Sequence, residues 1–134
     1  MNRDGAVDET RSPDMEELEL LQPFSLVRKV DERGALLPLD FDALPFLVRR
    51  VFTVSGVPPG TRRGGHGHLR GIQLLVCVQG RIELRARAGV KTSKLMLSPA
   101  GSGALLSAGV WCEQCYLAPD SVLLVLASES YDPG

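Results

Sequence analysis

The sequence predicts an all-β domain folded as a sandwich or barrel. Short runs rich in apolar, β-branched and aromatic residues recur along the chain, separated by Gly or Pro turns. The run Arg81–Ala88 alternates without error. Ile82, Leu84, Ala86 and Ala88 take one face and Arg81, Glu83, Arg85 and Arg87 the other, as in a strand with one buried and one wet face. Helical patterning is confined to one short stretch, Met15–Leu21.

The elements follow in order. Residues 1–19 are mostly charged or small and polar, and read as a mobile tail; an arm docked on a partner subunit is the alternative. The folded domain then spans residues 20–134. Ser25–Val30 is a short strand, Asp31-Glu32-Arg33-Gly34 a turn, and Ala35–Leu39 the return. Arg49–Ser55 is a strand by its β-branched and aromatic content, broken by Val57-Pro58-Pro59-Gly60. Ile72–Gln79 ends at Gly80, and Arg81–Ala88 follows. Lys91–Leu97, Ala104–Ser107, Val110–Leu117 and Val122–Ser128 complete the set.

Two strands are apolar on both faces. Ile72, Leu74, Val76 and Val78 are opposed by Leu75 and Cys77, and Ser121–Ala127 has the same character. A strand buried on both faces needs cover on both. A second subunit supplies that cover in one reading, giving a homodimer; a second sheet of the same chain supplies it in the other.

Composition limits the function. A chain of 134 residues is one domain with room for a core. Its net charge of −1 gives no general attraction to nucleic acid or membrane. No apolar run has transmembrane length and no signal peptide is evident, so the chain reads as cytoplasmic. Three cysteines, Cys77, Cys112 and Cys115, do not form a disulfide framework.

The chemistry gathers at Arg62-Arg63-Gly64-Gly65-His66-Gly67-His68, which holds the two histidines of the chain. On a strand, residues i and i+2 share a face, with Cα atoms roughly 6.5–7 Å apart. Paired imidazoles handle protons near neutral pH or bind a metal. Gly64 and Gly65 permit a sharp turn or a close approach. Arg62 and Arg63 add fixed positive charge suited to phosphate.

The motif resembles a known family. Gly60, five residues, His66-Gly67-His68, four residues, Gln73, six residues and Gly80 match the first cupin motif, with Gln73 in place of the usual glutamate. Gly101, five residues, Ser107-Ala108-Gly109 and then Cys112 are similar to the second, with Cys112 at the place of its last histidine. Arg50-Val51-Phe52, Val57-Pro58, the Arg63–His68 run, Gly109-Val110-Trp111, Leu124–Glu129 and Tyr131-Asp132 narrow the resemblance to cupin-type dTDP-sugar 3,4-ketoisomerases. That resemblance implies a cupin jelly-roll barrel and a dimer that exchanges an N-terminal strand. It implies dTDP-4-keto-6-deoxyglucose as substrate, its 3-keto isomer as product, and a place in deoxyamino-sugar biosynthesis. It implies no cofactor and no metal, and puts the catalytic role on His66 and His68. The chain departs from the pattern at Thr53, Ser55, Leu69 and Cys112, positions that bear on the configuration at carbon 4 of the product.

The reaction itself assigns roles. Moving a ketone from carbon 4 to carbon 3 requires a base for the carbon 3 proton and a partner that exchanges protons between the two oxygens. His66 is the candidate base and His68 its partner. Gln73 and Thr53 are candidate donors to the enediolate. Arg50, Arg62 and Arg63 are candidates for the diphosphate, and Tyr131 for a further substrate contact. Two other classes compete. One is a non-catalytic cupin that binds sugar nucleotides. The other is a metal-dependent cupin dioxygenase, which His66, His68, Gln73 and Cys112 serve poorly because they include no carboxylate.

Overall fold

The structure, a computed structural model, describes residues 20–66 and 71–130. The tail 1–19 lies outside these residues. Of the expected Met15–Leu21 helix only the end is described, and Leu21 already belongs to a strand.

Eleven strands form among the described residues. They are β1 (Leu21–Phe24), β2 (Lys29–Asp31), β3 (Gly34–Leu36), β4 (Arg50–Val54), β5 (Thr61–His66), β6 (Gln73–Gln79), β7 (Ile82–Ala88), β8 (Lys91–Leu97), β9 (Gly103–Leu106), β10 (Trp111–Tyr116) and β11 (Val122–Ala127). A five-stranded sheet has the order β1-β9-β6-β11-β4, and a four-stranded sheet the order β5-β10-β7-β8. Strands β2 and β3 make a separate hairpin, and neighbouring strands run antiparallel throughout.

The expected strand Ser25–Val30 is not continuous. Strand β1 ends at Phe24, and β2 starts at Lys29. Pro23 within β1 has no N–H to give a ladder, which an edge strand tolerates; β1 is an edge strand with β9 as its single neighbour. The Asp31–Gly34 turn forms as expected. Gly34 has a φ of 132°, and the Asp31 carboxylate accepts from the Arg33 backbone N–H at 2.8 Å.

The two large sheets face each other over one core. From the four-stranded sheet come Ile82, Leu84, Ala86, Leu97, Cys112 and Tyr116; from the five-stranded sheet come Leu21, Leu75, Cys77, Ala104, Leu106, Leu123 and Val125. The alternation of β7 holds: Ile82, Leu84 and Ala86 are buried, whereas Arg81 and Arg87 are exposed.

The doubly apolar strands have a different explanation from either sequence reading. Leu74, Val76 and Leu126 point away from the main core into a second cluster. This chain covers them with Phe24, Leu26, Leu37, Leu39, Leu44, Phe46 and Val48. The cover seen in this chain is therefore the segment 24–48, folded back over the outer face. The double burial of β6 and β11 is no longer an argument for a dimer. No helix among the described residues is long and apolar enough to cross a membrane.

Candidate active site

Strand β5 carries the first histidine, and its geometry is set by two glycines. Gly64 and Gly65 have φ of 88° and 74°, a left-handed backbone that few residues other than glycine adopt. Glu113 pairs with Gly64 but Cys112 pairs with His66, so the register shifts and Gly65 is the extra residue of a β-bulge. The bulge places His66, at the end of β5, directly across from Cys112 at the start of β10. His68 and Tyr131 lie outside the described residues.

The inner face of β10 is the column Cys112, Gln114 and Tyr116, which pairs with Ala86, Leu84 and Ile82 of β7. Arg63 pairs with Gln114, whereas Arg62 pairs with Cys115 on the outer face. The two neighbouring arginines thus diverge. The Arg63 charge acts on the buried Tyr116 hydroxyl. Arg62 stands 3.8 Å from the Glu113 carboxylate on the exposed surface. Arg62 thus lies on the face opposite Arg63, because adjacent strand residues face opposite sides.

The five-stranded sheet contributes a row at its end. Gln73 pairs with Leu106 on one side and Ala127 on the other, and Ala127 pairs with Arg50. Residues paired across a ladder share a face. Gln73 lies in phase with the core residues Leu75 and Cys77, and Arg50 in phase with Phe52 and Val54. The small Ala127 separates them. The Arg50 guanidinium sits 4.4 Å from the Phe52 ring centroid, which fixes its stem. The start of β6 is pinned to the end of β11: Ile72 N–H donates to Ser128 Oγ at 2.8 Å, and Ser128 N–H to the Ile72 carbonyl at 3.0 Å. Thr53 takes the other face of β4 from Arg50. It pairs with Leu124, which belongs to the outer cluster, and it is exposed. It faces away from the core and is not a donor to the interior of this chain.

Burial tunes the interior groups. It pushes the Cys112 thiol up to about 11, with the Gln114 amide acting against the shift and Glu113 adding to it. It pushes the Tyr116 hydroxyl up to about 12, with Arg63 acting against the shift. Both groups are protonated at neutral pH. The Tyr116 hydroxyl finds no hydrogen-bond partner among the described residues. Cys112, Gln114, Tyr116 and Gln73 include no carboxylate, and the fixed charges at the edge of that face are the exposed Arg63 and the half-buried Arg50. A rim of this kind suits an anionic ligand. Among the described residues no group of three or more His, Cys, Asp or Glu is placed to hold a metal ion.

Sequence reasoning missed Gln114. It was legible as the uncharged polar residue between Cys112 and Tyr116 at a period of two. Trp111 takes the outer face, with the Arg87 guanidinium 4.6 Å from its ring centroid.

Two antiparallel sheets closed over one core, with a histidine-bearing strand at the rim, define a cupin-type barrel. The chain belongs to the WxcM-like, C-terminal family (FdtA), whose pattern matches residues 19–134. A TDP-4-oxo-6-deoxy-alpha-D-glucose-3,4-oxoisomerase from Aneurinibacillus thermoaerophilus is 30% identical over 104 residues, which are 77% of this chain and 75% of that protein. The 3,4-ketoisomerase QdtA of Thermoanaerobacterium thermosaccharolyticum, solved as a histidine-to-asparagine mutant with TDP-4-keto-6-deoxyglucose, is 28% identical; the match covers 85% of this chain and 83% of that one, with a TM-score of 0.78. The WlaRB TDP-quinovose 3,4-ketoisomerase of Campylobacter jejuni is 28% identical, with 85% and 88% covered and a TM-score of 0.76.

Proposed function

We propose that this protein is an isomerase that converts dTDP-4-keto-6-deoxyglucose to its 3-keto isomer in deoxysugar biosynthesis. The observation that carries this reading is the match over 77% of the chain to an enzyme of that activity. The charge at the edge of the inner face agrees with it, since the exposed Arg63 and half-buried Arg50 suit the diphosphate of a sugar nucleotide.

His66 removes the carbon 3 proton, and the electrons move onto the carbon 4 oxygen to give an enediolate. His68 moves the proton of the carbon 3 hydroxyl to the carbon 4 oxygen. Carbon 4 is then protonated and the ketone stands at carbon 3, so no atom is gained or lost. Gln73 donates to the enediolate from the row beside Ala127. Arg63 and Arg50 hold the diphosphate, and Tyr131 makes a further substrate contact. Gln73 is a poor metal ligand and the set lacks a carboxylate, so no step is assigned to a metal.

Incubating the protein with dTDP-4-keto-6-deoxyglucose in EDTA, with an aminotransferase that traps the 3-keto isomer, tests the reading. Substrate left unchanged both with and without added metal would refute the isomerase, and activity restored only by added metal would refute the metal-free site. Arg63→Ala raises the Michaelis constant by ~10–150-fold, the loss of one charge-assisted contact. An unchanged constant would make Arg63 a strand residue without a part in binding.

The assembly is a homodimer that exchanges its N-terminal strand. Its edge position supports this role for β1, since β9 is the single neighbour it must leave. Light scattering at micromolar concentration then gives twice the 14.5 kDa of one chain, and a monomer mass would refute the dimer.

A further inference from the structure

Gln114 is a polar amide in an otherwise closely packed column. Its strand neighbours on the same face are Cys112 and Tyr116, both buried, and its partner on β7 is Leu84, with no exposed surface. Two features explain the amide. It acts on the Cys112 thiol beside it, against the upward push of burial. It also lies against the bare backbone of Gly64: a Cβ there would sit 2.9 Å from Nε2, 2.9 Å from Oε1 and 3.0 Å from the Cys112 carbonyl oxygen. The amide thus fills a notch that exists because position 64 has no side chain.

That notch is half of the bulge. Gly64 and Gly65 are the two residues of the segment with the widest choice of backbone conformation. A left-handed pair persists where its surroundings leave no alternative. The Gln114 amide supplies that constraint from one side, and Trp111 approaches Gly65 from the other, 3.7 Å from where a Cβ would stand. The bulge in turn decides which residue of β5 meets Cys112.

We propose that Gln114 is a positioning residue for His66: its amide, seated against the bare backbone of Gly64, holds the Gly64–Gly65 bulge in the one register that sets His66 across from Cys112. This rests on the reading of His66 as the carbon base. Gln114 touches no reacting atom; it acts through the backbone that carries the base. A displacement near 1 Å at a reacting group costs up to ~10²-fold in rate.

The test is Gln114→Met, which keeps the volume and removes the amide, with Gln114→Leu as a second variant should the first fail to fold. Turnover of the 4-keto sugar nucleotide falls by ~10–100-fold, while the Michaelis constant, dTDP affinity and melting temperature hold. The chain has two histidines, so its imidazole proton spectrum holds two sets of signals, assigned with His66→Asn. The His66 set shifts or broadens in the variant. Unchanged turnover with an unchanged His66 signal would overturn the proposal. So would a parallel fall in turnover, dTDP affinity and melting temperature, which marks a merely structural residue. If the wild-type protein leaves the 4-keto sugar unchanged, the functional reading has failed, and the His66 signal alone decides whether Gln114 positions that residue.

Discussion

His66→Asn lowers turnover of dTDP-4-keto-6-deoxyglucose by ~10²–10⁴, the usual contribution of a positioned general base. Asparagine keeps a polar side chain of similar size and has no group that accepts a proton near neutral pH. dTDP affinity is retained, because the proposed roles give the nucleotide to the arginines and the sugar to the imidazole. In deuterated water the wild-type product carries deuterium at carbon 4, since the proposed route reprotonates the enediolate from an imidazole in exchange with solvent. Retention of the original proton would mean that one imidazole shuttles it before exchange. His68→Asn is also slow but still washes deuterium into carbon 3 of recovered substrate, because the first abstraction survives. Wild-type turnover in both variants would show that the histidines are structural.

The strands were legible wherever one face is wet and the other dry. Arg81–Ala88 is the clearest case, because its charges fall on one parity and its aliphatic residues on the other. Strand β4 was legible as a strand but not in its orientation. Arg50, Phe52 and Val54 share one parity and Val51 and Thr53 the other, and each parity mixes polar with apolar residues. Only the pairing of Phe52 with Val125, and of Thr53 with Leu124, settles which side meets the core. The covering role of segment 24–48 escaped notice for a related reason. Its leucines and phenylalanines follow no single period, because they cover the sheet largely from backbone outside strands.

The arginines show how a bulge defeats counting. Counting back from position 66 by twos puts Arg62 in phase with the histidine. The bulge at Gly64–Gly65 adds one residue, and the residue in that phase becomes Arg63. The glycines announced an irregular backbone, but its effect on phase depends on the β10 pairing. The histidine motif was found by its spacing and its resemblance to a family, neither of which depends on which face a side chain takes.

Gly80→Ala carries the largest stability loss expected from one added methyl group. Gly80 links β6 to β7 with a φ of 83°, where an L side chain costs roughly 1–2 kcal/mol. Space adds a second cost. A Cβ at Gly80 would clash with Ser121 Oγ, and would lie 2.6 Å from Ser121 Cα and 2.9 Å from its Cβ. Ser121 cannot give way. It is buried, its hydroxyl accepts from the Arg81 backbone N–H at 3.2 Å, and it reaches the carbonyl oxygens of Ala118 at 2.9 Å and Arg81 at 3.1 Å. Removing the hydroxyl does not help, because the clash with the Ser121 backbone remains. Forcing backbone apart typically costs ~1–3 kcal/mol, so the total is about 2–5 kcal/mol. Out of the ~5–15 kcal/mol that holds a domain together, this is a large share. Gly89→Ala is the control: φ is 64°, and nothing lies within 4 Å of its Cβ, so strain acts alone. Urea unfolding of the two variants should separate them clearly, with Gly80→Ala the less stable. Equal midpoints would show that Ser121 moves aside and that the turn is held by φ alone.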